Sequence, residues 1–182
     1  MDSIAYVIDE QDRLVRVNDA WTRFAADNSG EMLRPAMILG RPLWNFISEP
    51  VVRDIYRRLV AQARAGTPTR FAYRCDSPTM RRRFEMRISG VGHQVEFTSN
   101  LLSEEARPSI PLFDVTKQHT QVIVRMCGWC HAIARPDGTW EPLEIGINRL
   151  GLLEGQPSPR VSHGICAACA QEMFPGLQPV SS

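Results

Sequence analysis

The chain lacks a surplus of either charge. Lys and Arg number 21 against 20 for Asp and Glu, a net of +1, so no overall field draws it to nucleic acid or to a membrane surface. It has no apolar run approaching the roughly 18 residues that span a bilayer. It opens Met1-Asp2-Ser3-Ile4, without a basic or apolar leader, and an odd cysteine count without such a leader points to a reducing compartment. The expected location is the cytoplasm, with no membrane partner. Nucleophile elbow, P-loop, HExxH and dinucleotide fingerprint are all missing, and no kinase or cyclase segment is present. The expectation is therefore binding and not turnover. His119, in Lys117-Gln-His-Thr120, lies in a Pro-bounded stretch without the long helical pattern of a phospho-acceptor and reads as a loop residue.

What the chain does have is cysteine in pairs. Four of its five cysteines fall in Cys127-Gly-Trp-Cys130 and Cys166-Ala-Ala-Cys169. A CxxC turn brings two sulfurs to one ion, and a second pair completes the tetrahedron that structural Zn²⁺ prefers, whereas buried unliganded thiols have no reason to arrive as two such units. Cys127, Cys130, Cys166 and Cys169 are the candidate metal ligands. The 35 residues between the pairs require a small structured insert. His163, three residues before Cys166, is placed either to hydrogen-bond to a coordinating thiolate or to stand in for one as an alternative ligand. Two other readings use the same residues. Cys127-Gly-Trp-Cys130-His131 fits the CxxCH haem-attachment spacing, but that attachment needs export. A CxxC pair can also cycle as a redox dithiol, and oxidation would expel a bound metal.

With 182 residues, 43% of them hydrophobic, the chain can hold a domain of about 100 to 120 residues and a smaller unit. Ile4–Asp9 and Arg13–Val17 read as a hairpin. Asn18 caps a helix carrying Trp21, Phe24 and Ala25 on one face. Residues 29–42, with two glycines and two prolines, read as a loop, and Leu43–Ile47 as an apolar turn. Pro50 opens a helix to Ala65 with Val52, Ile55, Tyr56, Leu59 and Ala63 in a stripe and Arg53, Arg57, Arg58 and Arg64 facing water. From Thr67 the period changes to two. Phe71, Tyr73 and Cys75, then Phe84, Met86 and Ile88, then Val95, Phe97, Ser99 and Leu101 mark three half-buried strands. Asp76-Ser-Pro-Thr79 makes the first turn between them, its Asp and Ser bonding to nearby backbone, and Gly90-Val-Gly-His93 the second.

This order predicts an α+β fold, a five-stranded antiparallel sheet with helices over one face. Val17-Asn-Asp-Ala-Trp21, Gly40-Arg-Pro-Leu-Trp44 and the closing meander resemble a PAS domain over residues 1–102. Arg74-Cys-Asp-Ser-Pro78 with Arg81-Arg-Arg83 resembles a bacterial subgroup of these sensors. Residues 103–120 read as a linker with Pro108 and Pro111 and no heptad. Residues 121–182 form a cysteine-rich module, expected to be small, zinc-ribbon-like and structural. It resembles an extension found beside PAS and receiver domains in bacterial signalling proteins, through Met-Cys-Gly-Trp-Cys130, Gly138-Thr-Trp140 and Ser162-His-Gly-Ile-Cys166. His131 stands where that extension usually has Lys or Arg. Gln178–Ser182 reads as a disordered tail.

The resemblance implies a cytoplasmic sensor or adaptor of bacterial signal transduction, acting on a protein partner, with a homodimer through the PAS-like part as a further expectation. It excludes two cofactors of such domains. The Asn-Cys-Arg motif of flavin photosensors is missing, and the Pro50–Ala65 helix has no histidine for haem. The alternatives are a transcription-associated zinc module contacting nucleic acid and a thiol redox switch. The first is disfavoured because only Arg135 and Arg149 add positive charge between Arg125 and Arg160, short of a basic stripe.

Overall fold

The computed structural model describes residues 2–114, 118–152 and 158–174; the proposed tail at 178–182 lies outside them. Strands β1 (Ile4–Ile8) and β2 (Leu14–Val17) form the expected hairpin. Helix α1 (Asp19–Asp27) follows, capped by Asn18, whose Oδ1 accepts from the amide of Trp21 at 2.9 Å. The same side chain accepts from Ala5 N at 3.1 Å and donates to Ser3 O at 2.7 Å, so the cap also pins the helix to β1. Residues 29–42 hold more structure than expected: a 3-10 turn at Glu31–Leu33 and a short helix α2 (Pro35–Ile38) with Ile38 buried. Their glycine and proline content concealed single turns too short to show a period. Another 3-10 turn, Leu43–Phe46, leads to α3 (Pro50–Arg64), which buries Ile55, Leu59, Val60 and Ala63.

The meander follows as β3 (Thr69–Arg74), β4 (Met80–Val91) and β5 (Gln94–Ala106). With the hairpin it makes a five-stranded sheet in the order β2-β1-β5-β4-β3. The fold is therefore α+β, with the five-stranded antiparallel sheet and helices that the PAS resemblance implies. The strand register is as expected: Phe84, Met86, Ile88, Val95, Phe97 and Ser99 are buried. One consequence of the β4 parity is that Arg82 shares the inward side with Phe84. It is buried and reaches Glu104 at 3.1 Å.

The second sheet is four-stranded, in the order β8-β7-β6-β9, from β6 (His119–Cys127), β7 (Ile133–Ala134), β8 (Trp140–Glu141) and β9 (Ser158–Gly164). Helices α4 (Leu143–Leu150) and α5 (Ala167–Met173) complete it. β6 and β9 are parallel, the other pairings antiparallel, so the module is a small mixed sheet with a crossover helix and a cluster of four cysteines. Its core is Ile110, Leu112, Val124, Met126, Ile133, Leu143 and Ile147. Gly146 in α4 is packed so closely that an added Cβ would sit 2.9 Å from Ile133 Cβ and Cδ1.

The chain divides into two compact units. Residues 1–71 and 84–102 form one; residues 72–83 and 103–182 form the other. The β3–β4 turn thus belongs with the cysteine-rich part. The stretch at 103–120, expected to be a linker, is not a bare tether: β5 extends to Ala106, and Ile110 and Leu112 enter the second core. Its polar composition and prolines hid two buried aliphatic residues.

Candidate metal centre

The parallel register of β6 and β9 builds the site. Cys127, the last residue of β6, pairs with Gly164, the last of β9, so the two strands end side by side and deliver both CxxC segments to one place. After Cys127 the chain turns sharply. Cys127 N donates to Ala132 O at 2.8 Å, His131 N to Cys127 O at 3.0 Å, and Gly128 N to Gly164 O at 2.9 Å. His131 closes the turn with φ 62, in the left-handed region. On the other side Cys166 is the N-cap of α5, its sulfur facing the amide of Cys169 at 3.5 Å.

The four sulfurs of Cys127, Cys130, Cys166 and Cys169 lie within 4.8 Å of one another. The Cys130 and Cys166 sulfurs are 3.6 Å apart, too long for a disulfide and close to the edge of about 3.8 Å of a tetrahedron with 2.3 Å metal–sulfur bonds. All five cysteines are free thiols. The amide of Cys166 points at Cys127 Sγ from 3.5 Å, a donor that favours a thiolate there. Cys127, Cys166 and Cys169 are buried, and Cys130 is partly open.

Four thiols so close cannot all ionise without a compensating cation. The Cys127 thiol is pushed far down, chiefly by its hydrogen bond with Cys130 and then by those with Cys166 and Cys169. Cys130 and Cys169 are pushed up, each chiefly by its hydrogen bond to Cys127. A divalent ion would replace those shared protons, and soft thiolate donors in a closed set of four suit Zn²⁺. The ring nitrogens of His163 are not in this cluster; His163 sits on β9 opposite Met126. Cys75 also stands outside it, and desolvation raises its thiol.

Beside the knuckle lies a buried charge network that spacing did not indicate. The Asp76 side chain is wholly inaccessible to solvent. Its Oδ2 receives Arg74 Nη2 at 2.5 Å and Arg107 Nη1 at 3.0 Å, with His131 Nδ1 at 3.3 Å, while Oδ1 accepts from Arg82 N at 3.0 Å. Burial alone would raise this carboxyl. The adjacent His131 ring, the hydrogen bond from Arg74 and the Arg82 amide outweigh it, and hold Asp76 well below the usual carboxylate range. Arg74 also reaches Glu144 at 3.2 Å, and its amide donates to Trp129 O within the knuckle. The His131 ring lies 5.3 Å from the Phe113 ring, and the Arg107 guanidinium 5.0 Å from that ring on the cation–π side. The His131 ring thus lies between a carboxylate and an aromatic ring.

The turn residue Asp76 was legible as a backbone acceptor, which it is toward Arg82. Its partners Arg107 and His131 are far away in sequence, and only the fold unites them. His119 Nδ1 lies 3.1 Å from Pro159 O at the start of the β6–β9 pairing, a structural position. Among the described residues no helix is long and apolar enough to cross a membrane.

No protein-family model matches the chain, and no curated protein is similar to it in sequence. Among solved structures, the chain is similar to a sensory box sensor histidine kinase from Vibrio cholerae, with a TM-score of 0.37 and 10% identity over 57% of this chain and 83% of that one.

Proposed function

We propose that the protein is a cytoplasmic signalling sensor or adaptor whose cysteine-rich unit is a binding module held together by one structural zinc ion. The observation that carries the zinc assignment is the convergence of four sulfurs within 4.8 Å at the ends of two parallel strands. Cys127, Cys130, Cys166 and Cys169 would hold the ion. A closed set of four thiolates leaves no open position for substrate or activated water, so the site stabilises and does not catalyse. The sensor reading is supported by the α+β sheet of the first unit and by the sequence motifs that resemble PAS domains. In that reading the first unit receives the signal and the second meets a protein partner.

Zinc and redox chemistry are separated by one experiment. Native mass spectrometry of the reduced full chain should give one zinc per chain, lost on chelation with a gain of four protons or fewer. A chain that takes up no zinc and instead accumulates a disulfide under mild oxidant would replace this reading with the redox switch.

A further inference from the structure

Two of the motifs in the cysteine-rich unit are not explained by metal binding: Trp140, in Gly138-Thr-Trp140, and Gly164, in Ser162-His-Gly-Ile-Cys166. Both touch Arg125. Its guanidinium carbon lies 5.7 Å from the centroid of the Trp140 ring. A Cβ on Gly164 would come within 2.8 Å of Arg125 Nε and 3.1 Å of Nη2, so the arginine lies flat over the glycine. Trp140 and Gly164 together form a seat for one exposed guanidinium.

The sheet register shows what surrounds that seat. Val124 and Met126 point into the core, so Ile123 and Arg125 point the other way. Ile123 pairs with Arg160 and Arg125 with Ser162, which places Arg160 on the same face, one step away on the neighbouring strand. Arg125 and Arg160 are exposed, Ile123 is 62% exposed, and no carboxylate pairs with either arginine among the described residues. An ordered, unpaired arginine beside an aromatic ring and an exposed branched aliphatic has the composition of an interaction hot spot. Its side chain already rests against Trp140 and Gly164, and a donor held in place before binding loses less entropy when it binds.

We propose that this outer face of the second sheet, centred on Arg125, is the docking surface for an acidic segment of a partner protein. Arg125 would present the edge of its guanidinium to a carboxylate as a two-pronged donor, Arg160 would meet a second acid, and Ile123 would meet an apolar side chain between them. Charge complementarity selects an acidic occupant. Two details favour peptide over single-stranded nucleic acid. One face of the Trp140 ring is covered by Arg125 and so not open for a base to stack on, and among the described residues Arg125 and Arg160 make a pair of cations there and not a stripe. The inference deepens the reading of this unit as a binding module and does not require the bound ion to be zinc.

The test uses the metal-loaded full chain and a short fluorescein-labelled peptide alternating Asp or Glu with Leu, read by anisotropy. The comparison probes are the Asn/Gln version of that peptide and an oligothymidylate of the same charge. The expected result is saturable binding of the acidic peptide, weakened by added salt, at least about tenfold weaker for Arg125→Gln and intermediate for Arg125→Lys, which keeps charge but loses the fork. Metal content and far-ultraviolet circular dichroism, measured on the same samples, should be unchanged, which separates loss of docking from loss of the metal-stapled fold. Should Arg125→Gln lose metal, the surface variant Arg160→Glu decides in its place, with weaker binding expected. Absence of saturable binding by wild type, equal binding by the variants, or equal or tighter binding of the neutral peptide or the oligothymidylate would overturn the proposal.

Discussion

His131 Nδ1 lies 3.3 Å from Asp76 Oδ2, joining the turn between the third and fourth strands of the chain to the knuckle that carries Cys127 and Cys130. Two arginines complete the surroundings of the carboxylate, so the buried acid neutralises cations that would otherwise be stranded. This makes Asp76 the residue whose loss should be felt most in the second unit outside the cysteines.

Asp76→Asn is expected to cost about 3 to 5 kcal/mol, the range for removing one partner of a buried ion pair. The pH dependence follows from the depressed carboxyl. A group whose folded pKa lies below its unfolded value stabilises fully above the unfolded value, about 3.9, and loses that contribution as pH falls through the folded one. The stability gap between wild type and Asp76→Asn should therefore be constant at neutral pH and narrow below about pH 4. Urea unfolding of both proteins across that range checks it. A gap that does not change with acidification would show that the carboxylate charge is not what stabilises the network.

In the first unit, Phe97 is completely buried and stacks on Tyr6 with ring centroids 4.4 Å apart and planes at 8°. Phe97→Ala should cost about 3 to 5 kcal/mol. The neighbouring positions Glu96 and Thr98 are only partly buried, as the alternation of that strand requires. A denaturation midpoint equal to that of wild type would mean that the ring is not in the core.

Most of the first unit was legible because alternation and helical spacing are local. Asn18 announced its helix, and Phe84 and Phe97 their strands. The paired cysteines were legible because CxxC is a local unit repeated. The charge network was not, since Asp76, Arg107 and His131 are adjacent only after folding, and each alone reads as a surface residue. The same holds for Arg125: Trp140 and Gly164 stood out in the sequence, but their common purpose needed the register of two parallel strands.

Gly146 sets helix propensity against packing. In an open helix Gly→Ala stabilises by about 1 kcal/mol. Here the new methyl would meet Ile133 Cβ and Cδ1 at 2.9 Å, and overpacking of this kind costs about 1 to 3 kcal/mol. Gly146→Ala is expected to destabilise the second unit, with a lower thermal midpoint in calorimetry. A higher midpoint would mean that α4 shifts away from the sheet without cost.

The last prediction turns on the left-handed backbone of His131. Glycine adopts φ 62 freely, whereas another residue loses roughly 1 kcal/mol there, so backbone preference alone favours His131→Gly. Against it stand the imidazole beside Asp76 and the ring contact with Phe113. Leaving a buried polar group short of a partner costs about 1 to 3 kcal/mol, and an aromatic pair contributes about 0.5 to 1.5 kcal/mol. The side-chain losses are the larger, so His131→Gly should be the less stable protein and should hold its metal less tightly. His131→Lys should recover part of the loss, because an ammonium can face Asp76 as the imidazole does. Competition with a chromogenic chelator, run on wild type and both variants, checks the order. A glycine variant that binds metal more tightly than wild type would show that the knuckle is shaped by its backbone and owes nothing to the carboxylate beside it.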